Sequence, residues 1–328
     1  MKKKNSAVMA AACAAILFSI EGCASNAKTT VTSAAEESIE WKTVVSIENQ
    51  AVPLYSKPAG SAVKVPQAPG TVTFVNGAVN LDASNANHGY VMVQYTGSAS
   101  KIKVQVIKSG GETYNYDLNA RSSYEVFPLT EGNGKYTIRV LEQVQGTQYA
   151  VKSSNDINVA LADQFEPFLY PNQYVNFSAG SEVVKKGAEV AAPAADALGV
   201  ETNEYNYVVG NFTYDTALAN SVQAGYLPNV DQVLAKKSGI CFDYAAVMTA
   251  MLRSQNIPTK LVVGYTGSLY HAWVNVYIDG QGWVDNIIYF DGTDWKLMDP
   301  TFASSGGNDP TIKEYIQNSS NYKAKYTY

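Results

Sequence analysis

The spacing of apolar residues switches once along this 328-residue chain, and the switch limits its fold more than any other feature. From about residue 46 to 162 the spacing is two. Tyr90-Val91-Met92-Val93-Gln94-Tyr95, Lys101-Ile102-Lys103-Val104-Gln105-Val106 and Tyr136-Thr137-Ile138-Arg139-Val140 alternate apolar with polar or mixed residues. Successive side chains leave a strand on opposite faces, so these runs read as half-buried strands. Ser109-Gly110-Gly111 and Glu131-Gly132-Asn133-Gly134 supply the turns between them. Short strands in such succession predict an antiparallel β-sandwich. His88 is the one histidine in this half, in a polar loop with no second histidine or cysteine nearby, so it reads as a solvated residue and not as a metal ligand.

Residues 163 to 180 are rich in aromatics and proline (Phe165, Pro167, Phe168, Tyr170, Pro171) and predict an extended connector packed against a domain. Helical spacing follows. Ser181 is placed to cap one helix, and Thr202 another whose apolar face is Tyr205, Val208, Val209 and Phe212. A further short helix is predicted from Val230 to Lys236.

The first residues read as an export signal. Lys2, Lys3 and Lys4 precede an apolar stretch, Ala7 to Phe18, that is too short to span a bilayer as a helix. Ile20-Glu21-Gly22-Cys23 resembles a bacterial lipobox, which implies lipidation of Cys23. Glu21 departs from the small residue usual there, and cleavage nearby with release is the alternative. A Ser/Thr/Ala/Glu-rich stretch from Ala24 to Ser38 suits a flexible tether. Removing residues 1 to 22 takes away three of the 24 basic and one of the 29 acidic residues, which leaves 21 against 28 and a net charge of −7. That balance argues against nucleic acid or anionic lipid as the partner.

Of the three cysteines, Cys13 lies in the signal and Cys23 is the lipidation candidate, so Cys241 is the single thiol of the folded region. An unpaired thiol in an exported protein is either buried and inert or kept for reactivity. In the stretch Ser238-Gly239-Ile240-Cys241-Phe242-Asp243-Tyr244-Ala245, the residues Phe242, Ala245, Thr249 and Leu252 fall on one helical face and Pro258 closes the element. Cys241 therefore starts a buried helix, with Ser238 placed to cap it. The helix dipole and unpaired N–H groups there lower a thiol's pKa. Two strands follow, and in the second His271, Trp273, Asn275 and Tyr277 share a face. Asp299 ends a later strand that starts near Thr293, after a hairpin inserted between Gly280 and Trp295.

The order Gly-x-Cys-x-Asp-Tyr-Ala on a helix, Leu-Arg-x-x-x-Ile-Pro before a strand ending Val-Val-Gly-Tyr, then His-Ala-Trp-Val and Asp-Pro-Thr, resembles the transglutaminase-like superfamily over roughly residues 200 to 305. The resemblance implies a papain-like α+β fold and a catalytic triad of Cys241, His271 and Asp299. Asp285 is a rival for the third position, but Asp-Pro-Thr is the better match. In the superfamily an upstream aromatic or amide side chain often supplies a second oxyanion donor, and Tyr207 is the candidate here. No cofactor or metal is implied, and Asp291 and Asp294 read as hairpin-turn residues.

These readings combine into an α+β chain of four segments. Residues 1–22 are a signal peptide, 23–45 a lipid-anchored tether, 46–162 an immunoglobulin- or fibronectin-like β-sandwich and 163–328 a transglutaminase-like domain that should fold by itself. The expected activity is acyl transfer through a thioester on Cys241, from an amide or peptide to water (peptidase or amidase) or to an amine (transglutaminase). A protein, peptide or cell-wall polymer is the expected substrate, met at the cell surface. The alternatives are a catalytically inactive module that binds such polymers, and a sandwich whose surface carries the function through adhesion.

Overall fold

The computed structural model describes residues 62–120, 122–279, 282–284, 288–290, 295–297, 301 and 319–328. In its first half, alternating burial produces eight strands: β1 (Thr73–Asn76), β2 (Val79–Asp82), β3 (Tyr90–Tyr95), β4 (Ile102–Lys108), β5 (Thr113–Asp117), β6 (Glu125–Pro128), β7 (Gly134–Gln145) and β8 (Gln148–Val159). They pair antiparallel in two four-stranded sheets, ordered β1-β2-β3-β6 and β5-β4-β7-β8. On β4 the buried residues are Ile102, Val104 and Val106, and Val104 and Val106 lie opposite Val140 and Ile138 of β7. The two glycine-rich turns read from the sequence connect β4 to β5 and β6 to β7. At the first, Gly110 takes a positive φ of 77° that an L side chain adopts at a cost. Leu81, Val91, Val93 and Phe127 of one sheet meet Val104, Ile138, Val140 and Tyr116 of the other in one apolar cluster. The Tyr116 and Phe127 rings touch across it, 5.2 Å apart.

The connector packs as its aromatic content suggests, with Phe165, Phe168, Leu169, Val175 and Phe177 buried. It contains one 3-10 turn, Glu166–Phe168. His88 is half-exposed, yet its Nδ1 lies 2.8 Å from Oε2 of Glu166, whose other oxygen accepts from Lys64 at 2.8 Å. The solvated loop residue of the sequence reading thus fastens its loop to the connector.

Then come α1 (Glu182–Ala191), α2 (Ala197–Asn211), β9 (Thr213–Tyr214), α3 (Thr216–Ser221), α4 (Val230–Lys236), β10 (Ser238–Gly239) and α5 (Cys241–Ser254). The remaining strands are β11 (Thr259–Thr266), β12 (Leu269–Ile278), β13 (Gly282–Val284), β14 (Ile288–Phe290), β15 (Trp295–Leu297) and β16 (Tyr322–Thr327). Ser181 stands at the N-cap position of α1 as expected, but its side chain makes no cap, and Asp231 of α4 accepts the Val183 N–H at 2.8 Å instead. Thr202 does not cap a helix: α2 starts five residues earlier, where Asp196 accepts the Gly199 N–H at 2.8 Å. An aspartate cap satisfies an N-terminal amide better than an internal threonine can. The expected hairpin is present as β14 paired with β15. A four-stranded antiparallel sheet, ordered β13-β12-β11-β16, forms the back of this half.

Helix α5 lies among α1, α2, α4 and the β11–β12 pair, and every residue of it except Phe242 is buried. Enclosure on all sides is why its apolar residues are not confined to one stripe. Close approach needs small residues at two places. A Cβ on Gly187 of α1 would stand 3.3 Å from Cα of Met251, and one on Gly264 of β11 only 2.1 Å from the Lys323 carbonyl oxygen. No helix among the described residues is long and apolar enough to cross a membrane.

Candidate functional site

Cys241 is the first residue of α5 and is 2% exposed. Ser238, the expected cap, sits instead in β10, where it pairs with Thr213 in a two-residue parallel ladder. The cap position belongs to Ile240, which has no side-chain acceptor. Asp243 takes over: its Oδ2 accepts the Ile240 N–H at 2.8 Å, while its Oδ1 accepts from the Tyr226 hydroxyl at 2.7 Å. This is the carboxylate half of a capping box, which quiets one of the unpaired amides of a helix start. Burial raises the Asp243 carboxyl above its ordinary pKa, against the two hydrogen bonds that lower it. Gly239 is required for the same turn, because a Cβ there would fall 2.5 Å from that of Asp243. The glycine and aspartate of the Gly-x-Cys-x-Asp pattern thus shape the backbone around the cysteine.

Strand β12 runs antiparallel to β11, with Tyr270 opposite Tyr265, His271 opposite Gly264 and Ala272 opposite Val263. Ala272, Val274 and Val276 join the same apolar cluster as Cys241 and the rest of α5. His271 and Trp273 alternate with them. The imidazole is 1% exposed and stacks 6.3 Å from the Trp273 ring, and the Tyr322 ring of β16 lies 6.5 Å from it. Gly264 opposite leaves room for this aromatic layer, since a side chain there would press on Trp273 at 2.9 Å. His271 and Trp273 share the face read for them, and further along the strand Tyr277 packs on Phe165 and Leu169. Tyr270 stands on the α5 side. Its phenol is pushed up by burial first and then by Tyr326, Tyr174, Tyr265 and the Cys241 thiol.

Asp299 and Asp285 lie outside the described residues, as do Cys23, Asp291 and Asp294. Thr301 of the Asp-Pro-Thr run is described and buried. Tyr207 is half-buried on α2, its ring 6.3 Å from Phe212 with the Lys186 ammonium 5.8 Å away. Those are packing contacts. Among the described residues no group of three or more histidines, cysteines, aspartates or glutamates could hold a metal ion.

Three features escaped the sequence reading. An acid at the third position of a helix is a capping signal, so the role of Asp243 was within reach, but nothing local points to Tyr226, 17 residues upstream. Arg253 of the Leu-Arg-x-x-x-Ile-Pro run is fully buried and donates to the carbonyls of Thr259, Tyr170 and Tyr328. Glu201 and Glu204 are buried on α2, where a helical pattern predicts apolar residues.

A sequence model of the Transglutaminase-like superfamily matches residues 185–286. The uncharacterized protein YebA of Bacillus subtilis (strain 168) is 36% identical over 117 residues, which is 30% of this chain and 15% of YebA, so the chain spans only a small part of that relative. A solved structure of a candidate cysteine protease from Cytophaga hutchinsonii superposes with a TM-score of 0.34 at 15% identity, covering 65% of this chain and 78% of that one. Red sea bream transglutaminase does so with a TM-score of 0.26 at 14% identity, covering 70% and 53%. The helix that starts at Cys241 and the strand that carries His271 both fall inside the family match, and residues 185–286 are a domain of the transglutaminase-like superfamily.

Proposed function

We propose that the chain is an extracytoplasmic cysteine enzyme that transfers acyl groups through a thioester on Cys241. The observation that carries this reading is the place of Cys241, the one thiol of the folded region, at the first position of a buried helix inside the family match. The positive end of the helix and the N–H groups of its first turn favour the thiolate. In this mechanism the Cys241 sulfur attacks an amide carbonyl, and the C–N bond breaks as His271, protonated by the thiol, returns that proton to the leaving amine. Water or a second amine then adds to the thioester carbonyl and gives a proton to His271, the C–S bond breaks, and His271 returns that proton to the Cys241 sulfur. Asp299 holds the imidazole tautomer. The Cys241 amide and the Tyr207 hydroxyl bind the oxyanion.

The proposal includes the setting. Export and lipidation at Cys23 put the enzyme at the cell surface, residues 23–45 tether it, residues 46–162 form an immunoglobulin- or fibronectin-like sandwich, and residues 163–328 form the catalytic domain that acts on a protein, peptide or cell-wall substrate. Cys23→Ala should then move the protein from the membrane fraction to the medium, and unchanged partition would remove the anchor from the proposal.

A second reading, an inactive surface module that binds such polymers, is favoured by one observation: Cys241 is 2% and His271 1% exposed. Mass spectrometry of the full chain with a glutamine-containing peptide library, with and without added amine, separates the two. The enzyme is expected to leave an acyl adduct on Cys241 and to release cleaved or deamidated peptide, or amine conjugates, all lost in Cys241→Ala. No adduct and no product would leave the binding module.

A further inference from the structure

We infer that Asp243 and Tyr226 are positioning residues for the Cys241 thiol, a conclusion that rests on the proposed nucleophilic role of Cys241. Asp243 is wholly buried, and each of its carboxyl oxygens has one short partner, the Ile240 amide on one side and the Tyr226 hydroxyl on the other. Its Cβ leaves no room for a side chain on Gly239, so the turn that carries the sulfur is fitted to Asp243 at both ends. Tyr226 comes from the loop between α3 and α4 and is the tie between that loop and the start of α5. Its phenol is pushed up, first by burial and then by the Asp243 bond, so it keeps its proton and remains the donor.

A cavity of about 100 Å³ lies beside the pair, lined among others by Asp215, Asn229, Lys236 and Ser238. The Asp215 carboxylate and the Asn229 amide oxygen cap α3 and α4, accepting from the Leu218 and Gln232 amides. The charged groups that act on Asp243 are Asp215, which raises its pKa, and Lys236, which lowers it. If the Tyr226 hydroxyl is removed, a buried carboxyl oxygen loses its partner and the turn can relax into the cavity. A thiol displaced by a fraction of an ångström from the helix axis and from its base loses part of the stabilisation of its anion.

The test is the pH profile of iodoacetamide alkylation of Cys241 in the folded full chain, with melting temperature as the check on the fold. Asp243→Ala is expected to move the midpoint up by about one pH unit, the equivalent of about a tenfold loss of thiolate below the midpoint. Tyr226→Phe should move it in the same direction by less. Asp243→Asn keeps the shape and can still accept from Ile240 and donate to the Tyr226 oxygen, so its midpoint should equal that of the parent or lie below it. Tyr226→Phe and Asp243→Ala proteins with the parental midpoint, whatever their melting temperatures, would overturn the inference, as would an upward shift in Asp243→Asn equal to that of Asp243→Ala. If Asp243→Ala does not fold, Tyr226→Phe decides alone. A parent that alkylates in this way but never forms a peptide adduct would refute the enzymatic reading and leave the positioning intact.

Discussion

Arg253 shows how a single residue can fix several segments at once. Its guanidinium sits at the end of α5 and donates Nε and Nη2 to the Thr259 carbonyl at 2.9 and 2.7 Å, Nη1 to that of Tyr170 at 2.6 Å and Nη2 to that of Tyr328 at 2.7 Å. Burial pulls its pKa down to about 9, which still leaves it a cation at neutral pH. The planar fork is what allows three carbonyls on three segments to be met together. A lysine has the charge without the fork, and each buried carbonyl that loses its donor costs about 1–3 kcal/mol. Arg253→Lys should therefore destabilise the protein by about 3 kcal/mol, read as a lower urea midpoint at unchanged slope. A loss below about 0.5 kcal/mol would mean that water or a shifted backbone replaces the fork.

Helix α2 carries the opposite case, two buried acids that little or nothing satisfies. Glu204 is 0% exposed and Glu201 3%, and among the described residues the carboxyl oxygens of Glu204 and Oε1 of Glu201 have no hydrogen-bond partner. Burial pushes Glu201 up to about 8, and burial together with the neighbouring Glu201 pushes Glu204 well above its ordinary value of 4.5. Both are therefore neutral in the folded protein near pH 6 but ionised in the unfolded chain, so the folded state binds more protons. Stability is then greatest below about pH 4.5 as far as these groups decide it, and it is lost as pH rises toward 8, with a slope approaching ~1.4 kcal/mol per pH unit for each carboxyl. Glu204→Leu should raise the melting temperature more at pH 8 than at pH 5, and an equal gain at both would contradict a buried neutral acid. These acids also mark where sequence reading stops. Periodicity located α2 through Tyr205, Val208 and Phe212, but a glutamate at helical spacing reads as solvent-facing until the packing of α1, α5 and β12 around it is known. For the same reason the pattern of α5 gave its start at Cys241 and not its enclosure, while the capping of that start passed from Ser238 to Asp243 because the carboxylate reaches back to the Ile240 amide.

The strands and turns of the first half were legible because period two and glycine-rich breaks are local signals, as Val104, Val106 and Gly110 show. How that half meets the second was not, since Tyr114 and Tyr116 on β5 look like any strand residues and their partners lie more than 200 residues away. Tyr328 sets its ring 5.6 Å from Tyr114, 5.9 Å from Tyr116 and 4.2 Å from Tyr174 of the connector. Tyr174 in turn stacks 5.7 Å from Phe242, next to the cysteine. Hydrogen bonds cross the same seam: the Thr130 hydroxyl donates to the Thr327 carbonyl at 2.7 Å, and the Thr327 N–H donates to the Tyr114 hydroxyl at 3.2 Å. One apolar cluster runs through both halves without a break. The proposed boundary at residue 163 therefore divides the chain by period and leaves a shared core. A fragment that starts at Asp163 keeps α5, the β11–β12 pair and their helices, so it should still fold, but it exposes the rings of Tyr174 and Tyr328. At roughly 1.5–3 kcal/mol for each large side chain returned to water, the loss is about 3–6 kcal/mol. For a fragment of this size, at roughly 2–4 °C per kcal/mol, that is a fall of about 6–24 °C in melting temperature. The full chain should melt in a single transition. Two separate transitions, with the later one matching the isolated fragment, would show that the tyrosine seam contributes contact without coupling.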